Sequence, residues 1–258
     1  MPPIMTGIYG HRGIIGLATP QANPTAEIEI SLLMPSGVAC VTARMVSSAA
    51  ESRQRLIDYF ADITTTLQRF DSMPLSSAGV ACTGSSYVLG YPQTDAQCRL
   101  SESALTYPVI CAAGAIEDAL VTLGLRRIAL LSPYPKWLMD LAESYWIGRG
   151  FELVDVFSPS ATQGDTREIY SLDVTALIDR IADHWSSVDA DVYLITGTGM
   201  PTLPLIDSLS GHMPGPVLSS NLCLAWSCLR SAGIHPAERA ATAALPLLAG
   251  WPKGPVLE

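Results

Sequence analysis

The sequence predicts an α/β protein with two pseudo-symmetric Rossmann-like lobes, each with a four-stranded, mainly parallel sheet flanked by helices. Two observations support this fold class. Short apolar or β-branched runs alternate with longer helical patterns along the chain, which is typical of parallel sheets covered on both faces. Several segments of the first half also recur in the same order in the second half, which indicates an internal duplication.

Eight short apolar runs of strand length are found along the chain. They predict strands near residues 13–19, 37–43, 78–82, 107–111, 127–132, 151–157, 192–196 and 216–219. Helical patterns predict helices near 23–34, 51–69, 112–123, 135–149, 173–186, 201–210, 221–232 and 236–248. An eightfold barrel would show a similar alternation. The uneven intervals between the strands and their division into two sets of four favour two lobes instead.

Helix boundaries carry their own signals in the sequence. Asn23 followed by Pro24 suits the start of a helix, since asparagine caps and proline fits the first turn. Pro201 suits the first turn of the helix at 201–210. The apolar patterns at 112–123 and 221–232 end next to Gly124 and Gly233, and glycine is the usual residue after a helix.

Three pairs of segments carry the duplication. Residues 11–20 are echoed by 126–133, residues 80–86 by 195–200, and residues 107–112 by 215–220. Pro20 and Cys82 are 62 residues apart, and their counterparts Pro133 and Gly197 are 64 apart. One half therefore ends its strand on a thiol and the other on a glycine. We expect a first lobe at 1–112 with the Cys82 loop and a second at 113–220 with the Gly197 loop, with the helices of 221–258 free to pack back on the first.

Composition excludes several classes of protein. Apolar residues make up 48% of the 258-residue chain and charged residues 15%, which is typical of a globular protein. The net charge of −9 and the lack of a basic run argue against nucleic acid, and no apolar run is long enough to predict a membrane span. Residues 1–10 lack the pattern of a signal peptide and are expected to be an untethered N-terminus. The six cysteines form no CxxC or His/Cys ligand pattern, so we expect no metal, reduced thiols and a cytoplasmic location.

Small polar segments follow the matching strands of the two halves. Ligands of parallel sheets bind beyond the carboxyl ends of the strands, and glycine N–H groups with hydroxyl donors suit a carboxylate or a developing enolate. We predict loops at 82–86 and 196–199 that form such a site. Cys82 is the predicted catalytic residue, and the predicted substrate-binding residues in these loops are Thr83, Gly84, Ser85, Gly197 and Thr198.

Three further polar residues follow predicted strands. Asn23 and Asn221 are interpreted as helix caps, ligand contacts or both, and Tyr134 either as a donor to a substrate carboxylate or as a surface residue. No histidine lies in a strand-end loop beside Cys82, which disfavours a Cys-His hydrolase. N–H groups at a helix start are expected to lower the pKa of Cys82.

Four stretches, at 20–27, 81–85, 132–134 and 216–226, resemble the aspartate/glutamate racemase superfamily, and within it the branch of maleate cis–trans isomerases and arylmalonate decarboxylases. The resemblance spans residues 11 to 234. It implies an active site in the cleft between two lobes, no cofactor or metal, and, in racemases and isomerases, one cysteine from each lobe. Cys82 matches the first cysteine, and the second position falls on Gly197. Thr196 and Thr198 beside it are poor thiol replacements, because a hydroxyl is a far weaker acid.

The resemblance implies an enzyme that acts on a small carboxylate or dicarboxylate through thiol chemistry and an enolate-like intermediate. A maleate-type cis–trans isomerase is the favoured activity, since one thiolate can add to an alkene, allow rotation and leave. Arylmalonate-type decarboxylation, with Cys82 as proton donor, is the first alternative, and racemisation the second. A non-catalytic carboxylate-binding protein is the alternative of another class. Neither nucleic acid nor a membrane is expected as a partner, and a homo-oligomer is left open.

Overall fold

The computed structural model describes residues 9–159 and 164–234. Its eight strands are β1 (Gly13–Pro20), β2 (Val38–Met45), β3 (Ser77–Val80), β4 (Val109–Cys111), β5 (Arg127–Leu131), β6 (Glu152–Phe157), β7 (Val192–Ile195) and β8 (Val217–Ser219). They form two four-stranded sheets in the orders β2-β1-β3-β4 and β6-β5-β7-β8. All neighbouring strands are parallel. The predicted fold class is confirmed, and each predicted strand coincides with an observed one.

The two sheets are built in the same way. Each places its first and third strands at the centre, and nearly every residue of these central strands is buried. Ile15 and Leu17 of β1 and the whole of β7 are buried. In the registers of the two sheets, Leu17 pairs with Gly79 and Leu130 with Leu194. Equal strand order brings the carboxyl ends of β3 and β7 to equivalent places in the two lobes.

Ten α-helices cover the sheets within the described residues. They are α1 (Ala26–Leu33), α2 (Ser52–Ala61), α3 (Ile63–Gln68), α4 (Thr83–Leu89), α5 (Tyr91–Ala104), α6 (Ala112–Leu123), α7 (Lys136–Gly148), α8 (Ile178–Trp185), α9 (Leu203–Leu209) and α10 (Ser220–Ser231). Two short 3₁₀ helices, Thr166–Ser171 and Thr175–Leu177, precede α8. None of these helices is long and apolar enough to cross a bilayer.

Several helix predictions need correction. The helix predicted at 51–69 is two helices that meet at Asp62, and the one predicted at 173–186 is α-helical only from Ile178. The predicted loop at 82–86 is in fact the start of α4, a helix of small and hydroxyl residues whose first five residues are buried. Helix α5 was not predicted, because only Thr94 and Ser101 of its fourteen residues are buried and it has no apolar stripe.

The chain returns to the first sheet after it completes the second. Helix α10 packs against α6 and β3: Ser77 Oγ donates to the carbonyl of Cys228 at 2.9 Å, and Ser227 Oγ donates to Asp118 at 3.2 Å. The predicted helix at 236–248 and most of the predicted untethered N-terminus lie outside the described residues.

Candidate active site

Cys82 lies at the carboxyl end of β3 and caps the start of α4. Its side chain is almost fully buried, and its Sγ lies 3.1 Å from Ser85 Oγ. Ser85 Oγ in turn donates to the carbonyl oxygen of Leu56 at 2.7 Å. Because a hydroxyl has a single proton to donate, the Cys82 S–H is the donor to Ser85. The resting contact is that of a thiol rather than a thiolate.

The charge state of Cys82 differs from the sequence-based expectation. Burial raises the pKa of the Cys82 thiol, and the Ser85 hydroxyl together with the backbone N–H groups of Ser85 and Gly84 opposes this only in part. The expectation of a lowered pKa was therefore wrong. The helix start does point N–H groups at the sulfur, but loss of solvent around the thiolate outweighs them.

The loop after β7 faces Cys82 from the second lobe. Thr198 Oγ1 donates to the carbonyl of Ala81 at 2.7 Å, next to Cys82, and Asn23 Nδ2 donates to Thr198 Oγ1 at 3.4 Å. Gly197 has φ +101°, a conformation that favours glycine. A Cβ there would lie 3.1 Å from Pro133 Cγ. The position that matches the second cysteine thus has a backbone unsuited to a side chain.

A cavity that is partly open to solvent lies between the lobes. Five of the predicted site residues line it: Asn23, Cys82, Gly84, Tyr134 and Thr198. Tyr134 is buried, so the alternative of a surface tyrosine is excluded. The cavity has the mixture of apolar walls and polar groups of a small-molecule site.

The other four predicted residues do not line the cavity but support those that do. Thr83 Oγ1 lies 2.9 Å from Tyr134 OH, and Ser85 contacts Cys82 as described. Gly197 donates its N–H to Ser220 Oγ at 3.2 Å, and Asn221 Nδ2 donates to the carbonyl of Thr198 at 3.1 Å. These four residues therefore support the cavity wall. Their predicted contact with the substrate stays a prediction.

Asn23 combines the two roles that its sequence left open. Its Oδ1 accepts hydrogen bonds from the N–H groups of Thr25 and Ala26, at 2.9 and 3.1 Å, at the start of α1. Its Nδ2 is directed to Thr198 beside the cavity. The cap holds the amide in one orientation, so its nitrogen remains a donor on the cavity wall.

Two arginines that were not predicted from the sequence also line the cavity. Arg55 on α2 is only 3% exposed, and its Nη2 donates to Asp165 Oδ1 at 2.7 Å across the cleft. Arg167 holds the same carboxylate through its backbone N–H and through Nε and Nη2. These bonds, those from Arg167 above all, lower the pKa of Asp165 to about 2.

A sequence signal for Arg55 did exist. The buried residues of α2 are Ser52, Arg55, Leu56, Tyr59 and Phe60, which recur at helical spacing along one face. An arginine within the stripe that packs inward is a buried charge, and buried charges are paired or functional. Tyr59 belongs to the same stripe and also lines the cavity.

The second lobe adds the 3₁₀ helix Thr166–Ser171 to the cavity wall. Its residues Thr166, Ile169 and Tyr170 were not predicted as site residues. Burial raises the pKa of Tyr59, Tyr134 and Tyr170, so these phenols stay neutral and can donate hydrogen bonds. Among the described residues no group of three His, Cys, Asp or Glu side chains could hold a metal ion.

Glu29 on α1 ties the lobes together behind the cavity. Its buried carboxylate accepts hydrogen bonds from the N–H groups of Thr202 and Leu203, from the Thr202 hydroxyl and from Asn221 Nδ2. The first lobe thereby caps α9 of the second. Thr25 Oγ1 adds a bond to the carbonyl of Gly199 at 2.8 Å. The Gly197–Gly199 turn is thus held by Thr25, the residue before α1, and the start of α9 beyond it is held by Glu29.

The class of this protein is defined by two parallel α/β lobes with a buried cysteine and hydrogen-bond donors in the cleft between them. The family model for arylmalonate decarboxylase matches residues 30–245, and the chain belongs to that family. The resemblance to the maleate isomerase and arylmalonate decarboxylase branch of the aspartate/glutamate racemase superfamily is therefore confirmed.

Curated relatives and solved structures agree with this assignment. The chain is 27% identical to a maleate isomerase of Geobacillus stearothermophilus, over 84% of this chain and 90% of the relative. It is 26% identical to a maleate isomerase of Pseudomonas putida, over 90% and 95% of the two chains. The maleate isomerase Iso from Pseudomonas putida S16 with maleate superposes with a TM-score of 0.74 at 21% identity, over 90% of this chain and 97% of that one.

Two further structures show the same fold. A maleate cis–trans isomerase mutant of Nocardia farcinica with a covalently bound succinylcysteine intermediate has a TM-score of 0.72 at 23% identity, over 90% of this chain and 98% of that one. An arylmalonate decarboxylase double mutant, with a glycine changed to cysteine and a cysteine to serine, has a TM-score of 0.73 at 19% identity, over 86% and 93%.

Proposed function

We propose that this chain is a cofactor-independent isomerase that converts a small cis-dicarboxylate of the maleate type into its trans isomer, with Cys82 as nucleophile. The observation that carries the proposal is the cleft in which Cys82, the donors Asn23 and Tyr134, and two arginines line one cavity. The names of the curated relatives support the same reaction.

The reaction begins with addition of the Cys82 thiolate to one alkene carbon. A C–S bond forms, and the π electron pair moves to the neighbouring carbon and into its carboxylate as an enediolate. Asn23 Nδ2 and Tyr134 OH are donors on the cavity wall that can stabilise this charge. The former double bond is now single and rotates. Return of the electron pair expels the thiolate and leaves the trans alkene, so atoms and charge balance without a cofactor.

Glycine at position 197 suits this short cycle. A second thiol in the opposite wall would be able to protonate the carbanion and hold the adduct as a saturated thioether. With Gly197 there, no thiol faces the carbanion from that loop, and elimination needs no proton to be removed again. The thiolate itself is stabilised by the N–H groups of Gly84 and Ser85 once it forms.

Decarboxylation of a substituted malonate is the second candidate, and one observation favours it. The raised pKa of Cys82 keeps the thiol protonated at neutral pH, which is the state that a proton donor to an enediolate requires. The two arginines argue the other way. A carboxylate that leaves as CO₂ loses its charge, so a guanidinium beside it stabilises the starting state more than the transition state.

The test is turnover by the purified protein with maleate and with phenylmalonate, followed as fumarate formation and CO₂ release. We expect fumarate from the wild type, none from Cys82→Ala, and normal rates from Cys40→Ala, whose half-buried cysteine on β2 lies outside the cavity. Equal fumarate formation by Cys82→Ala would refute the mechanism. CO₂ release without fumarate would select the decarboxylase, and binding of maleate without turnover would select a carboxylate-binding protein.

A further inference from the structure

Arg55 is a buried charge whose position in the cleft needs an explanation. Its side chain is 4% exposed, whereas that of its partner Asp165 is 36% exposed. Removing a guanidinium from water is costly unless anionic or polar partners compensate. A structural ion pair would bury both partners, but here only the arginine is buried, and it lines a cavity.

The hydrogen bonds of Arg55 leave part of its donor capacity unused. Nη1 donates to the carbonyl of Ala50 at 2.5 Å, and Nη2 donates to Ser52 Oγ at 2.8 Å and to Asp165 at 2.7 Å. A guanidinium has five N–H donors. Within the described residues Nε has no hydrogen-bond partner, although Arg55 lines the cavity. The guanidinium can therefore donate a hydrogen bond to a further anionic oxygen.

Asp165 does not depend on Arg55 for its own hydrogen bonds. The backbone N–H of Arg167 donates to it at 2.9 Å, and the Arg167 guanidinium holds both of its oxygens, with Nη2 at 2.6 Å from Oδ2. Asp165 also starts the 3₁₀ helix that carries Tyr170. If Arg55 exchanged Asp165 for another carboxylate, Asp165 would remain paired.

Arg55 and Cys82 belong to the same cavity and are connected through α2. The carbonyl oxygen of Leu56, next to Arg55, accepts a hydrogen bond from the hydroxyl of Ser85, and Ser85 contacts Cys82. Tyr59, one turn further along α2, lines the cavity as well. Arg55 and Arg167 are the charged residues of this wall among the residues that the structure describes, in a chain of net charge −9. Local positive charge in an acidic protein points to an anionic ligand group.

We propose that Arg55 is the specificity-determining residue for the second carboxylate of the substrate, which takes the place of Asp165 on its guanidinium while the first carboxylate binds the Asn23 and Tyr134 donors. This inference rests on the proposed function and deepens it. It names the residue that selects a dianion over a singly charged analogue of the same shape.

The test is calorimetric titration of Cys82→Ser protein, in which thiol chemistry is blocked, with maleate and with its monoamide, maleamate. Arg55→Gln in this background should weaken maleate binding by about 10- to 100-fold, the usual size for loss of charge-assisted hydrogen bonds, with maleamate changed by at most about twofold. Arg55→Lys should restore part of the maleate affinity. Arg53→Gln, an exposed arginine on the same helix, is the matched control and should change neither.

Asp165→Asn separates substrate binding from a structural role of the ion pair. Asparagine still caps the 3₁₀ helix but releases Arg55, so maleate should bind as tightly as before or more tightly. The inference is overturned if Arg55→Gln weakens both ligands by the same factor, or if Asp165→Asn weakens maleate as much as Arg55→Gln does.

Wild-type turnover distinguishes this inference from the proposed function. If the protein selects maleate through Arg55 but forms no fumarate, the isomerase proposal is rejected and the inference of a dicarboxylate site at Arg55 stands. Fumarate formation that is indifferent to Arg55→Gln would keep the isomerase and reject the role of Arg55.

Discussion

Glu29→Ala should destabilise the protein through the contact between its lobes. The carboxylate of Glu29 accepts four hydrogen bonds from Thr202, Leu203 and Asn221. The Thr202 hydroxyl keeps a second contact, with Ser219 Oγ at 2.9 Å. Alanine therefore leaves three N–H donors without a partner: the two backbone groups and one N–H of Asn221.

The expected magnitude follows from these three donors. Each unsatisfied buried donor costs about 1–3 kcal/mol, and the loss of a buried carboxylate gives back part of that cost, because its desolvation is relieved. The lower end of the range then applies, with a loss of about 3 kcal/mol in the free energy of unfolding. For a chain of this size the midpoint of thermal unfolding should fall by roughly 6–12 °C.

Glu27→Ala is the matched control. Glu27 lies on the same helix and pairs with Arg44, but the two side chains are 43% and 39% exposed. An exposed pair contributes at most about 1 kcal/mol. The assay is thermal unfolding of both variants by circular dichroism at pH 7. If Glu29→Ala is no less stable than Glu27→Ala, the capping of α9 by α1 does not hold the lobes together and the reasoning fails.

Four further results are expected. Gly197→Ala should lower the free energy of unfolding by about 1–2 kcal/mol, because φ at this position is +101°. The measurement is urea unfolding, and an unchanged midpoint would contradict the expectation. Gly211→Ala is the control, since a Cβ there meets nothing within 4 Å. In Gly199→Ala the new Cβ would lie 2.2 Å from Tyr170 Cε1, so Tyr170 must leave its place and the KM for maleate should change. Isomerisation should accelerate with pH from 7 to 9, since the thiolate fraction of Cys82 rises towards its raised pKa, whereas a flat profile would indicate the thiol as proton donor. Asp165 has a pKa of about 2 in the folded protein, below an unfolded value of about 3.9. Its contribution to folding stability is therefore complete above about pH 4 and is lost as the pH falls towards 2. In Asp165→Asn the midpoint of thermal unfolding should fall less steeply over that pH range.

Local pattern explains which parts of the fold could be predicted. The strands are short apolar runs such as residues 192–195, and their burial is dictated by composition alone. Helix α4 shows the opposite case. Four of its five buried residues are threonine, glycine or serine, which are typical of a loop. Its packing against α2 and α7 stabilises it as a helix.

The site divides in the same way. Cys82, Asn23, Tyr134 and Thr198 were found because each follows a strand, and strand ends in a parallel sheet meet at one edge. Arg55 lies within a helix, and Arg167 lies in the 3₁₀ helix Thr166–Ser171. No local pattern places these two beside Cys82, since their positions depend on how α2 and the 3₁₀ helix meet across the cleft.

The amino-acid sequence alone predicts two matching lobes, a strand followed by a thiol, and a glycine at the equivalent place in the second lobe. These features are local, because strand formation and strand-end position follow from short runs of residues. The burial of Cys82, the raised pKa of its thiol and the two arginines in its cavity follow only from the folded structure. The burial of a group and the charges around it depend on segments that are distant in the chain. These segments come together only when the lobes have packed.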